Sequence, residues 1–440
     1  MQQIYSWSWV EAQVAETIAV WKDCASSAEL GGPRYSLKEQ QRRERAYDEA
    51  MRAVEREVKR TPRTKANRLA MQERITAVFA KFSAAALGLE REATELLTED
   101  FLPVGTQLAR WARRFDASLS MADITQACRN AWTACGLQPL LGEPVRITPA
   151  ILGYSLLYPY SDNYLDSSDQ SAELKLKFSE RFREQLQGGP LLPQDDREAA
   201  VWALVQLIEE QYPRMRYPQV FDCLLAIHRA QEGSIAQLRS DRVMGDAEVL
   251  RMSCAKGGSS VLADACLARG WLNEKESKFS FEWGVLLQLG DDLQDVREDI
   301  ERGSSTLFSR AVQSGTPLDG LLMQLLRFSE RVGERMEERP NGDRMLKELL
   351  KMSWRSLIVG AVAESQEFFS PEFVYEVERC SPFRFGFLRS RHEKLRSRQG
   401  LYANLFEAFL EAPENEEDEL PSPELARIAW AEEYATQAQA

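Results

Sequence analysis

Acidic residues at helical spacing are the part of this sequence best equipped for chemistry. Gln288 to Phe308 reads QLGDDLQDVREDIERGSSTLF, and five of its first twelve residues are acidic: Asp291, Asp292, Asp295, Glu298 and Asp299. A helix turns about 100° per residue. With Asp291 as zero, Asp295 falls at about 40°, Gln288 at about 60°, Asp299 at about 80° and Asp292 at about 100°. The aspartates therefore form one stripe, continuing an apolar run of Val285, Leu286, Leu287 and Leu289. Two like charges about 4 Å apart repel by about 4 kcal/mol at an effective dielectric of about 20. Such a stripe needs cations. Short carboxylates on a rigid helix suit Mg²⁺, which takes oxygen ligands in octahedral geometry and commonly bridges to phosphate. The other reading of the run is a solvated acidic face. Two details favour the first: Asp is a poorer helix former than Glu, and the run stops at Arg302-Gly303-Ser304-Ser305.

A second acidic set ends another apolar helix. Ile151 to Gln170 reads ILGYSLLYPYSDNYLDSSDQ. Asp162, Asp166 and Asp169 fall at about 0°, 40° and −20° around a helix, again on one face.

Composition narrows the chemistry. The chain has 440 residues, with 44% hydrophobic and 28% charged residues, ordinary proportions for a globular protein. Its net charge of −13 speaks against a nucleic-acid partner. Seven scattered cysteines with no CxxC pair argue for reduced thiols, a cytoplasmic location and no zinc site. Only two histidines are present, His228 and His392, so histidine-based hydrolase chemistry is poorly supported. No stretch reads as a transmembrane segment or a signal peptide.

The elements that must hold these residues are helices throughout. Apolar periodicity predicts helices over 3–24, 36–60, 66–98, 104–116, 121–135, 197–211, 219–240, 246–269, 274–301, 318–337, 343–368 and 386–410. A further helix begins at Pro371. Pro139, Gly142, Pro144 and Pro149 read as an irregular link. Residues 412–423 read as an acidic linker, and 424–436 as a short terminal helix. No alternating strand pattern and no internal repeat is present, so the fold class is all-α. Lys256-Gly257-Gly258 falls inside the 246–269 helix. Two adjacent glycines there forfeit about 2 kcal/mol of helix propensity, which predicts a kink or a close backbone approach.

Two Asp stripes ending apolar helices in an all-α chain resemble the class I isoprenoid synthases. Lys256-Gly257-Gly258, followed by Gly284, Gln288 and Asp291-Asp292-Leu-Gln-Asp295, looks like the Lys-Thr-Gly and GxxFQxxDDxxD segments of trans-prenyl diphosphate synthases. Asp292 to Gly303 is also similar to the second motif of squalene and phytoene synthases. Asp162-Asn-Tyr-Leu-Asp166 resembles the DxxxD of those enzymes and of bacterial large terpene synthases. The chain departs at two places. Ser167 to Ser171 is SSDQS where chain elongators carry two arginines, and Ser304 stands where phytoene synthases carry one.

The resemblance implies a helical bundle around a central cavity over 101–411, with an N-terminal helical extension over 1–100 and a tail over 412–440. It implies Mg²⁺ on Asp162, Asp166, Asp169, Asp291, Asp292, Asp295 and Asp299. Asp162, Asp166, Asp291, Asp292 and Asp295 would carry the ionisation of a prenyl diphosphate. Lys256, Arg251, Gln288 and Arg229 would contact the diphosphate. Tyr154, Tyr158, Tyr164, Phe281 and Trp283 are pocket or core aromatics, and His228 reads as a structural helix histidine. The basic run Arg384, Arg389, Arg391, Lys394, Arg396 and Arg398 reads as a solvated face, a cover for diphosphate or a peripheral membrane contact. A homodimer is compatible with all of this. A non-catalytic protein of the same fold, binding a partner or lipid, is the alternative.

Overall fold

The structure, a computed structural model, describes residues 4–24, 30–60, 62–166, 170–238, 244–397, 399–412 and 420–423. Among them are helices and turns and no β-strand, so the chain is all-α. In chain order the helices are α1 (Trp7–Asp23), α2 (Leu37–Val58), α3 (Lys65–Phe82), α4 (Arg91–Glu95), α5 (Leu102–Phe115), α6 (Met121–Leu141) and α7 (Pro149–Tyr160). There follow α8 (Asp162–Asp166), α9 (Ala172–Leu186), α10 (Asp196–Gln211), α11 (Pro218–Leu238), α12 (Asp246–Arg269), α13 (Glu274–Gln294) and α14 (Val296–Arg302). The last are α15 (Leu307–Gln313), α16 (Asp319–Glu337), α17 (Arg344–Glu364), α18 (Pro371–Glu378), α19 (Phe385–Arg396) and α20 (Gln399–Phe409).

The centre of the molecule is the hairpin of α12 and α13. Gly270 ends α12 in the left-handed region at φ 91°, and Asn273 with Glu276 closes a capping box that starts α13. α12 packs against α1, α6, α7, α11, α13 and α15 and is buried along nearly its whole length. Its small residues let so many neighbours approach.

α12 runs unbroken through Lys256-Gly257-Gly258, from Asp246 to Arg269, and of the two expectations for the glycine pair the close backbone approach is the one found. The glycines serve the helix crossing. A Cβ on Gly257 would lie 2.4 Å from the Cβ of Gln288 and 2.5 Å from the carbonyl oxygen of Gly284. One on Gly258 would lie 2.4 Å from the Phe281 ring, and one on Gly284 would lie 2.0 Å from the carbonyl oxygen of Gly257. Close packing of two backbones offsets the lost propensity.

The N-terminal hundred residues do not form one extension. α1 belongs to the main core: Val10, Val14 and Trp21 are buried in it, and Trp9 meets Phe281 edge-on with ring centroids 5.9 Å apart. Tyr5 and Ser277 share a hydroxyl hydrogen bond of 2.7 Å. α2 and α3 pack instead against α20. Met71, Ile75 and Ala408 make a small second core with Val54, Leu405 and Phe409 around it. The same packing disposes of the basic run. Arg384 pairs with Glu44, Arg391 with Asp48 and Lys394 with Glu55. Those charges hold α2 onto α19 rather than standing free for diphosphate or lipid. Arg389 and Arg396 stay exposed, and Arg398 lies outside the described residues.

Other boundaries move for local reasons. Pro139 sits inside the last turn of α6, which runs on to Leu141. The 274–301 helix breaks at Asp295, between α13 and α14, and a separate α9 fills 172–186. The 66–98 helix stops near Gly88, whose φ of 76° ends it. Beyond residue 412 only 420–423 are described, where the Trp111 indole N–H donates to the Pro421 carbonyl at 2.7 Å. The expected terminal helix lies outside the described residues. No helix among the described residues is long and apolar enough to cross a membrane.

Candidate functional site

Between Met252 and Ala268, the residues of α12 that keep accessible surface are Met252, Ser253, Lys256 and Ser260. Ser253, Lys256 and Ser260 recur at i, i+3 and i+7, one line along the helix. The next position on that line is Asp264, which is 1% exposed. The helices packed around α12 leave this line partly uncovered as far as Ser260.

The facing helices show the same pattern. On α6, Asp123, Gln126 and Asn130 are half-buried, and on α7 so are Tyr154 and Tyr158. Gln288 and Asp291 are the corresponding residues on α13. Side-chain contacts tie these lines together. Asn130 Nδ2 donates to Asp264 Oδ1 at 3.2 Å and to Ser155 Oγ at 3.3 Å. Tyr154 shares a hydrogen bond with Ser260 and feels both Asp264 and Asp162. Burial, helped by those carboxylates, holds its hydroxyl well above the ordinary tyrosine range, although part of its surface stays accessible. The half-buried residues of α6, α7, α12 and α13 together outline a cleft between these helices.

α6 connects the two acidic sets along this cleft. Near its start, Asp123 accepts from Asn163 of α8 at 3.0 Å. A turn and a half further on, Arg129 reaches Asp291 at 3.4 Å. Asp162, half-buried at the start of α8, accepts from Gln231 of α11 at 2.6 Å and from Ser161 at 3.2 Å.

The second set holds more negative charge than its neighbours neutralise. Burial pushes the Asp291 carboxyl up to about 6, with Asp292 and Asp295 adding to the rise and Arg129 opposing it. Asp291 nonetheless keeps 46% of its side-chain surface, so it stands in a recess that is crowded by protein and open to solvent. Asp292 also rises to about 6 through burial, against hydrogen bonds from Gln288 at 2.8 Å and Ser253 at 2.7 Å. Asp299 reaches about 6 through burial and the neighbouring Asp295. Asp295 is raised by burial and by Glu298. Lys256 lowers both Asp291 and Asp292 by its field, as its place on the helix face predicts.

Among the described residues, no three Asp, Glu, His or Cys side chains converge to enclose a metal ion. Asp292 has both oxygens engaged by protein donors. The donor set is all oxygen, and Mg²⁺ is commonly held by one or two carboxylates with water and substrate phosphates rather than by a protein cage. Asp291 and Asp295, the more accessible pair, fit that shared mode.

The structure does not bring every predicted residue here. Arg251 is exposed, about 200° around α12 from Ser253. Arg229 is exposed and stacks over the Trp7 ring at 4.7 Å. The residue of α11 that reaches the acidic set is Gln231. Phe281 and Trp283 are core rings, packed against Trp9 and Trp354. Tyr164 packs under Arg197 and beside Phe178. His228 is buried, with its Nε2 2.9 Å from the Ser179 carbonyl. Asp166 ends α8, but its side chain and the whole of Asp169 lie outside the described residues.

Arg129, Asn130, Gln231, Ser253, Ser260 and Asp264 were missed from the sequence. One signal for three of them was present: polar residues at helical spacing along an otherwise apolar α12. Arg129 and Gln231 carry no such signal, since only packing aims them.

Compared with known proteins, the chain matches no family model, no curated protein and no solved structure.

Proposed function

We propose that the chain is a Mg²⁺-dependent class I isoprenoid synthase, ionising a prenyl diphosphate and releasing pyrophosphate. One observation carries the reading: the acidic recess of Asp291, Asp292, Asp295 and Asp299 shares an interhelical cleft with Lys256 and Arg129. Carboxylates short of cations beside two basic side chains suit a ligand that brings phosphate and metal together.

Mg²⁺ would be held by Asp291 and Asp295, with Asp162 and Asp166 as donors from the other set, and when bound it neutralises charge on the departing diphosphate. Lys256 and Arg129 bind diphosphate oxygens directly. Ser253 and Gln288 fix Asp292 behind them, which holds the recess in shape. Ionisation breaks the allylic C–O bond; the electron pair leaves with pyrophosphate and the positive charge stays on the allylic carbons. Tyr154 and Tyr158 offer ring faces to that charge, and the surrounding apolar helices keep water from it.

A non-catalytic protein of this architecture is the second reading. The two hydrogen bonds that occupy Asp292, and the lack of a three-carboxylate convergence, favour it. Measuring pyrophosphate release from geranyl, farnesyl and geranylgeranyl diphosphates with and without Mg²⁺ separates the two. The expected outcome is release that requires Mg²⁺ and is lost in Asp291→Ala. Tight binding of a diphosphate with no release would establish the second reading.

A further inference from the structure

Asp264 is used by nothing above. It is 1% exposed, at the point where the accessible line of α12 stops. Its Oδ1 accepts from Asn130 at 3.2 Å, and its Oδ2 meets no donor or acceptor. Buried carboxyl oxygens without partners are rare in folded proteins and call for an explanation. The groups around it are Asn130 of α6, Tyr154 and Ser155 of α7, and Ser260 one turn back on α12. Cys135 of α6 also feels its charge. All of these neighbours are uncharged polar groups. The acid-rich line therefore ends among neutral hydrogen-bonding groups. Burial holds the Asp264 carboxyl well above its ordinary range, and a carboxyl in its protonated form donates through one oxygen and accepts through the other. Asp264 lies eight residues beyond Lys256, about 12 Å along the helix.

We propose that the deep end of the cleft is a second binding site, in which Asp264, with Tyr154 and Ser260, takes a hydroxyl group at the tail of the ligand. The proposal rests on reading the Asp291–Lys256 end as a diphosphate site and extends it. The preferred ligand is then a short isoprenoid diphosphate carrying a terminal hydroxyl, not a plain hydrocarbon chain. A plain chain would leave Oδ2 unpartnered, and sites built to bond a hydroxyl discriminate strongly against analogues that lack it.

The test compares ω-hydroxygeranyl diphosphate with geranyl diphosphate on the full chain in Mg²⁺, by calorimetry. We expect the hydroxylated compound to bind at least about tenfold tighter. Asp264→Asn, which still donates and accepts, should keep the preference, and Asp264→Leu should abolish it. Equal binding of the two compounds to the wild-type chain overturns the proposal, whether or not the leucine variant folds. If neither diphosphate binds, the diphosphate reading fails, and the tail site is decided separately by thermal shift with geraniol and its ω-hydroxy diol. A shift for the diol alone upholds the site, and equal shifts or none overturn it.

Discussion

Toward α13, α12 presents Gly257 and Gly258, bare backbone set against Gly284. Along another line the same helix presents Ser253 and Lys256 to the aspartates of α13, and Ser260 and Asp264 to α7 and α6. On the first face side chains are absent so that two helices can touch. On the second, side chains are polar and stay partly accessible as far as Ser260. Both faces break the apolar pattern of a central helix, yet for opposite reasons. A polar or glycine position in a core helix thus acquires meaning from what stands opposite. Glycine facing backbone is packing, and a polar line facing other half-buried polar residues is a cleft.

Substitutions can separate the two faces. The largest effect is expected at the crossing. In Gly284→Leu even the first added carbon would sit 2.0 Å from a backbone carbonyl oxygen, which no rotamer relieves. Overpacking of this kind costs about 3 kcal/mol or more. Thermal melts should show a large loss of stability or no folded protein. A melt like that of the wild type would refute the close crossing.

Next comes the acidic recess. Asp291→Ala and Asp295→Ala should each lower Mg²⁺-dependent pyrophosphate release by at least about a hundredfold. The melting temperature should hold or rise, because a crowded like charge has gone. Near-normal release from either variant would remove that residue from the metal role.

Lys256→Ala should be milder. Losing one charged contact should weaken pyrophosphate binding by about tenfold, the scale of a hydrogen bond to an ionised group. Stability should change little, since Lys256 is half-buried and carries none of the crossing. Titration calorimetry and a melt on the same sample decide it; stability falling while binding holds would make Lys256 a packing residue.

The smallest effect is in pH dependence. Asp291, Asp292 and Asp299 have folded values of about 6, above the unfolded value of about 3.9 for aspartate. A carboxyl raised on folding contributes stability that is complete below about 4 and is lost as pH rises through about 6. The ligand-free protein should therefore gain stability from this site as pH falls from about 7 to about 4. Comparing the pH profiles of wild type and Asp292→Asn isolates the contribution. Parallel profiles would show that the recess is not strained by charge.

Much of the molecule was legible from local patterns. Apolar periodicity and stop signals located most helices, because a helix face and its caps are written within a few turns of chain. Helical spacing puts the aspartates of the second stripe on one face, and the family resemblance puts Lys256 beside them. Where local rules met a partner in space, they failed. They do not find α9 or the break at Asp295, and they put Pro139 in an irregular link although the last turn of α6 tolerates it.

By itself, then, the sequence determined the helical class and the clustering of the second acidic stripe on one helix face, since each depends only on period and residue type. Tertiary structure decided what those positions meet. It turned Arg229 onto Trp7 and Gln231 onto Asp162, two residues apart on one helix. It bound the basic run of α19 to the acidic face of α2, distant in sequence, and buried α1 in the main core. It also set the glycine pair against the backbone of α13. The physical reason is common to all of these. A helix offers several faces, and which one meets a neighbour is set by the burial of every other helix around it.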